Sequence, residues 1–244
     1  PATPGATAAP SPTPQTPAAA PTIERSSALV DAVREVLPAV VTIVTSGSDG
    51  QPRGSGTGVV IDRTAGYVAT NSHVIEDART TRATGTFSVI LHDGSSRPAT
   101  LIGNDPDTDV AVLRVEGDLP AEARLATADV PLGTEVIAIG SPGTPGRGGG
   151  TLLTNTVTSG IVSAIGRSLP RPDLRSVVLQ DLVQTDAPIN TGMSGGPLVA
   201  VATREVIGLA TLVLRGSGEE GLGFAVSATT VRRVSAELIA RATN

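Results

Sequence analysis

The chain is built from short runs of β-branched and aliphatic residues, each closed off by Gly, Pro, Asp or Asn. From Ala39 onward they read VVTIVT, TGVVI, GYVATN, FSVILH, VAVLRV, EVIAIG, TVTSGIVSAI, VVLQDLV, GPLVAV, VIGLATLVL and LGFAV. Val, Ile and Thr suit a pleated, half-buried surface, and the residues between the runs supply turns. This succession predicts an all-β domain, either a barrel or a sandwich. Aromatic residues are limited to Tyr67, Phe87 and Phe224, with no Trp. The core of such a domain must therefore be filled by Val, Ile, Leu and Ala.

Helical periodicity occurs near the two ends. Leu29, Val30, Val33, Val36 and Leu37 recur at helical spacing between Ser26 and Leu37, with Ser26 or Ser27 as N-cap and Pro38 as the stop. Val231, Val234, Leu238 and Ile239 define a second helix over Ser227 to Ala242, capped by Ser227 or Thr229. Before Ile23 the chain is nearly all Pro, Ala, Thr, Ser and Gly, a composition that buries little apolar area. Residues 1–22 read as a linker, either a tether that spaces the domain from an anchor or an untrimmed tail. The segment Ser141 to Gly150, SPGTPGRGGG, is expected to be a mobile surface loop.

Charge and cysteine content exclude several classes of function. The eighteen basic residues are all Arg, scattered among twenty-three acids for a net charge of -5, so nothing resembles the basic stripe of a nucleic-acid protein. Without cysteine there is no disulfide, thiolate nucleophile or zinc–thiolate site. His73 and His92 are the two imidazoles, and no metal site is expected from them. No apolar run approaches the length of a membrane span. The first residue is Pro, not Met, so the chain is read as a processed product or an excised piece, and any signal peptide or membrane anchor would have been lost upstream.

The stretch most suited to chemistry is NTGMSGGPL, where Ser194 is flanked by glycines in a turn between strand-like runs. Glycine at 192 permits a backbone that brings the amides of Gly192 and Ser194 toward one oxygen, as an oxyanion hole requires. A serine hydroxyl needs a base, and that base needs a carboxylate to fix its tautomer. His73, in VATNSHVIED at the end of a strand-like run, is the candidate base. His92 precedes Asp93-Gly94 and reads as a polar residue beside a hairpin turn. In NDPDTDVAVLRV, Asp109 abuts the apolar strand and is chosen as the orienting carboxylate, while Asp105 and Asp107 look like solvated turn formers.

The blocks TNSHV, TDVAVL, QTDAPINTGMSGGPL, VIGLAT and GFAVSATTVRRV, in that order, together resemble the HtrA (Deg) family of trypsin-like serine proteases. The resemblance covers about Ser26 to Arg241. It implies a chymotrypsin-like double six-stranded β-barrel with short terminal helices, the barrels spanning about 39–120 and 131–226 within a protease domain of 23–244. It also implies that His73, Asp109 and Ser194 are catalytic, that no cofactor is needed, and that the substrates are unfolded polypeptides outside the cytoplasm.

Proteases that cut after Arg or Lys place a carboxylate six residues before the nucleophile, where this chain has Pro188. The resemblance suggests that Ile189 and Val213 line an apolar pocket suited to Val, Ala or Ile. An extended substrate is expected to add along Leu209, Ala210, Thr211 and on to Val213 by backbone hydrogen bonds. Two departures stand out. Met193 replaces the polar residue usual in the family, and no PDZ domain follows the C-terminal helix of this chain. Family members often form trimers through aromatic-rich N-terminal contacts, so a homotrimer stays an open expectation in a chain this poor in aromatics. The rival readings are a latent or non-catalytic peptide-binding module on the same fold, and a structural domain displayed on a tether.

Overall fold

A computed structural model of the chain describes residues 25–76, 85–143, 151–171, 174–213 and 221–243, apart from the side chains of 25–26, 174–175 and 212–213. The linker expected over 1–22 lies outside the described residues, as do positions 144–150 of the glycine-rich loop. Ser141, at the start of that loop, is buried, and its Oγ is hydrogen-bonded to Thr42 Oγ1.

Twelve strands form two closed antiparallel barrels. Strands β1 (Val40–Ser46), β2 (Pro52–Asp62), β3 (Tyr67–Thr70), β4 (Thr86–Ile90), β5 (Ser96–Asp105) and β6 (Val110–Val115) close in the order β1-β2-β3-β6-β5-β4. Strands β7 (Glu135–Gly140), β8 (Thr156–Arg171), β9 (Leu174–Thr185), β10 (Pro197–Ala200), β11 (Val206–Val213) and β12 (Gly223–Ser227) close in the order β10-β11-β12-β9-β8-β7. Among the described residues, closure leaves only short unpaired edges. Each interior is filled as the composition demands, by Ile43, Val59, Val68, Val89 and Val112 in the first barrel and Val136, Ala138, Val162 and Leu198 in the second, all fully buried. Removing each such Val, Leu or Ile from water is worth about 1.5–3 kcal/mol.

Two strand readings change. SRPATLIGND was not among the expected strands, yet it is β5 and pairs with both β4 and β6 although Pro98 and Gly103 carry turn chemistry locally. Cross-strand pairing overrides local propensity there. Strand β8 likewise runs past Gly166 and Pro170 to Arg171, making with β9 a ribbon longer than the apolar run alone marks.

Helix α1 (Arg25–Val36) already includes Ser26 and Ser27, and a 3-10 turn at Leu37–Ala39 with Pro38 in its first turn leads into β1. Helix α2 (Ser72–Ile75) follows β3 directly. Helix α3 (Ala228–Thr243) packs on β5 and β6 of the first barrel and on β11 and β12 of the second. Of the two caps considered, Ser227 serves, its Oγ accepting from the Thr230 amide at 3.3 Å. Among the described residues no helix is long and apolar enough to cross a membrane.

Candidate active site

The first barrel supplies an imidazole and a buried carboxylate. His73 sits in α2, immediately beyond β3, and Asp109 ends the turn that enters β6. The Asn71 side-chain amide donates to the Asp109 carbonyl at 3.0 Å, tying the two segments together. Asp109 has φ +58°, in the left-handed region where Asp is among the few tolerated residues, and its side chain is fully buried. Its carboxylate is well supplied with donors. Oδ1 accepts from the His73 backbone amide at 2.9 Å, Oδ2 accepts from His73 Nδ1 at 2.9 Å, and Thr211 Oγ1 donates to Oδ2 from the second barrel. Burial by itself would raise the Asp109 pKa. The facing imidazole, its hydrogen bond, the nearby Arg171 guanidinium and the Thr211 hydroxyl outweigh that, and the carboxyl is held below its ordinary value.

The second barrel supplies the serine on the turn from Thr191 to Gly196, just before β10. Gly192 has φ +96°, and a Cβ there would stand 2.4 Å from the Ser141 carbonyl oxygen; Gly195 has φ +81°, and a Cβ there would meet the Thr57 carbonyl at 2.2 Å. Both positions are closed to any residue with a side chain. Hydrogen bonds inside the turn use the amides of Met193, Gly195 and Gly196, which donate to Asn190, Ala210 and Met193 carbonyls at 2.9, 2.7 and 2.9 Å. Met193 is fully buried in the apolar cluster of the second barrel with Ile189 and Leu198. Its thioether therefore anchors the turn by packing. His73, Val74, Gly54, Ser55, Gly192 and Ser194 all line one cleft of about 710 Å³ at the seam of the barrels.

The residues expected to bind substrate divide. Leu209 pairs with Pro197 on one side and Val226 on the other, and both backbone groups of Ala210 are engaged, accepting from Gly195 at 2.7 Å and donating to Gly196 at 2.8 Å. Neither offers a free edge, which corrects the expectation for these two. Beyond them, Leu212 and Val213 pair with β12 alone among the described residues, and Thr211 is the bulge residue between Ala210 and Leu212. The Thr211 side chain turns to Asp109 and not to the cleft. Ile189 is buried against Gly223, whose built Cβ would lie 2.9 Å from Ile189 Cδ1, while the Val213 side chain lies outside the described residues. His92 stays in the β4–β5 hairpin, where Gly94 donates to Leu91 at 2.9 Å, and the Asp105 carboxylate accepts from the Asp107 amide at 3.0 Å.

Sequence reasoning missed Thr57. It is fully buried on β2, donates from Oγ1 to the Gly192 carbonyl at 2.8 Å, accepts there from the Ser141 amide at 3.0 Å, and donates its own amide to the Ser194 carbonyl at 2.8 Å. It also missed Glu76 and Arg171, which pair with each other beside Asp109.

Two closed six-stranded barrels, with His and Asp from the first facing Ser from the second across their seam, define the trypsin-like class of serine peptidases. Comparison with known proteins agrees. The family model described as trypsin-like peptidase domain matches residues 56–209. The chain is 36% identical over 187 residues to the periplasmic serine endoprotease DegP of Escherichia coli, covering 75% of this chain and 35% of that protein. It is 32% identical over 237 residues to the serine protease Do-like HtrA of Bacillus subtilis, covering 89% and 50%. Among solved structures, the HtrA-type protease AlgW with a tripeptide superposes with TM-score 0.70 at 34% identity, covering 86% of this chain and 63% of that one. The chain belongs to the trypsin-like peptidase family, among the HtrA (DegP) serine proteases. It spans about a third to a half of the length of these two curated relatives.

Proposed function

We propose that this domain is a serine endopeptidase that cuts exposed, unfolded polypeptide segments through an acyl-enzyme. The observation that carries the reading is the pairing of His73 Nδ1 with the fully buried Asp109 carboxylate, in a cleft that Ser194 also lines. An ionised carboxylate can only accept, so Nδ1 bears the proton and the Nε2 lone pair is left to take the proton of Ser194 as its Oγ attacks a peptide carbonyl. Asp109 then stabilises the imidazolium, which returns its proton to the leaving amine.

The amides of Gly192 and Ser194 are not spent on the turn's internal bonds among the described residues, and they would hold the developing oxyanion. An extended substrate would add at Thr211–Val213, where β11 lacks a second strand partner among the described residues. Ile189, crowding Gly223, favours a small aliphatic side chain before the scissile bond. The periplasmic relatives and the Pro- and Ala-rich N-terminal stretch support work outside the cytoplasm, in protein quality control at the envelope.

Digestion of casein by the chain and by Ser194→Ala, with mass spectrometry of the new termini, tests this. Cleavage that disappears in Ser194→Ala, with Val, Ala or Ile at the new C-termini, is the expected result. No cleavage by the parent chain, or cleavage that survives the substitution, would sink it.

A further inference from the structure

Arg171 is a permanent cation placed where water is excluded. It lies at the far end of β8, in the second barrel's ribbon, yet its side chain is 1% exposed and docks on the first barrel. Nη2 donates to Glu76 Oε2 at 2.5 Å, Nη1 donates to the Pro106 carbonyl at 2.9 Å, and Nη1 lies 3.9 Å from Asp109 Oδ1. Glu76, three residues after His73, has a side chain only 2% exposed. Its Oε1 accepts from the Ser72 hydroxyl and from Asn104 Nδ2, the latter at 3.1 Å. A guanidinium from one barrel is thus held between two carboxylates of the other, one of which is bonded to the imidazole.

We infer that Arg171 and Glu76 are positioning residues that hold the His73–Asp109 pair and set the charge around it. The inference rests on the reading of His73 as the base. A buried ion pair contributes little net stability, because the cost of dehydrating both ions offsets their attraction. Its consequence here is electrostatic. With Asp109 and Glu76 ionised and Arg171 cationic, these three groups together carry one net negative charge, and with His73 they become neutral when the imidazole accepts a proton. Loss of Arg171 would leave two negative charges that favour the imidazolium, and loss of the Glu76 charge would leave none. Among the described residues, two other charged groups near the cleft are differently engaged. Arg53, across the cleft on β2, is exposed and paired with Asp49 at 2.7 Å, and the Asp105 carboxylate accepts from the Asp107 amide within the β5–β6 turn.

The two substitutions should therefore move the imidazole in opposite directions, which a purely structural role would not do. His73 becomes the sole imidazole of the full chain once His92→Gln is made, and its protonation can be followed by NMR across pH. In that background, Glu76→Gln should lower the midpoint and Arg171→Met raise it, each by about one pH unit. The double variant should return to within a few tenths of a unit of the parent. Midpoints that stay put, or that shift in the same direction in both single variants, would overturn the inference. If Arg171→Met fails to fold, Glu76→Gln decides alone: it keeps the shape and an oxygen acceptor for Arg171, so a lowered midpoint supports the inference and an unchanged or raised one overturns it. The acid limb of kcat/KM on casein should move with the midpoint. A parent chain that cleaves nothing would defeat the proposed protease, while the imidazole titration would still report on the network.

Discussion

At Asp109 one carboxylate gathers donors from three places: the backbone and the ring of His73, and the Thr211 hydroxyl of the other barrel. Because its folded pKa is depressed below the ordinary 3.8, its contribution to stability is fully present above that value and is lost as pH falls through the lower, folded one. Urea unfolding of the chain and of Asp109→Asn should therefore show a gap at pH 7 that narrows below about pH 3.8. A gap that is constant with pH would mean that the carboxylate's charge is not what the fold uses. Asp109→Asn should also cut kcat by roughly 10⁴-fold, since an amide can stabilise the wrong tautomer of His73. Thr211→Val removes one donor and keeps the shape. A lost hydrogen bond to a charged acceptor is worth about 1.5–3 kcal/mol, so kcat should fall roughly ten- to hundredfold, with KM little changed because the hydroxyl faces Asp109 and not the substrate.

Helix α3 rests on both barrels, and its buried Leu238 packs on the first: a Cβ on Gly103 of β5 would lie 3.0 Å from Leu238 Cδ2. Leu238→Ala should cost about 2–4 kcal/mol, read as a lower urea midpoint with an unchanged slope. A loss well under 1 kcal/mol would show that the helix is dispensable to the barrel it covers. The helix and most strands were legible because their apolar residues repeat at the period of the element. Strand β5 was not, since Pro98 and Gly103 carry turn chemistry locally and are overruled by pairing with β4 and β6. His73, Asp109 and Ser194 could be read because each sits in a distinctive local block. Arg171, Glu76 and Thr57 could not. Arg171 is separated from Glu76 by 95 residues, and Thr57 from Gly192 by 135, and nothing adjacent in the chain marks either one as buried.

At the scale of the molecule, the site exists only while the two barrels keep their register, because the imidazole and the serine come from opposite sides of the seam. Thr57 is the residue best placed to hold that register. From β2 it reaches the Gly192 carbonyl, the Ser141 amide and the Ser194 carbonyl, so one buried side chain and its backbone touch the second barrel at three points. Thr57→Val is nearly isosteric and keeps the backbone contact to Ser194. It leaves the Gly192 carbonyl and the Ser141 amide without the hydroxyl that joined them, and each buried polar group so stranded costs about 1–3 kcal/mol. The loss should appear as a lower melting temperature. It should also appear as a slower reaction of Ser194 with a small fluorophosphonate, which reads the nucleophile and its turn without requiring an extended substrate to bind. If the melting temperature falls while fluorophosphonate reactivity is unchanged, Thr57 joins the barrels but does not shape the turn. If both fall together, the seam and the catalytic geometry are held by the same bonds, and the order of the site is a property of how the barrels dock.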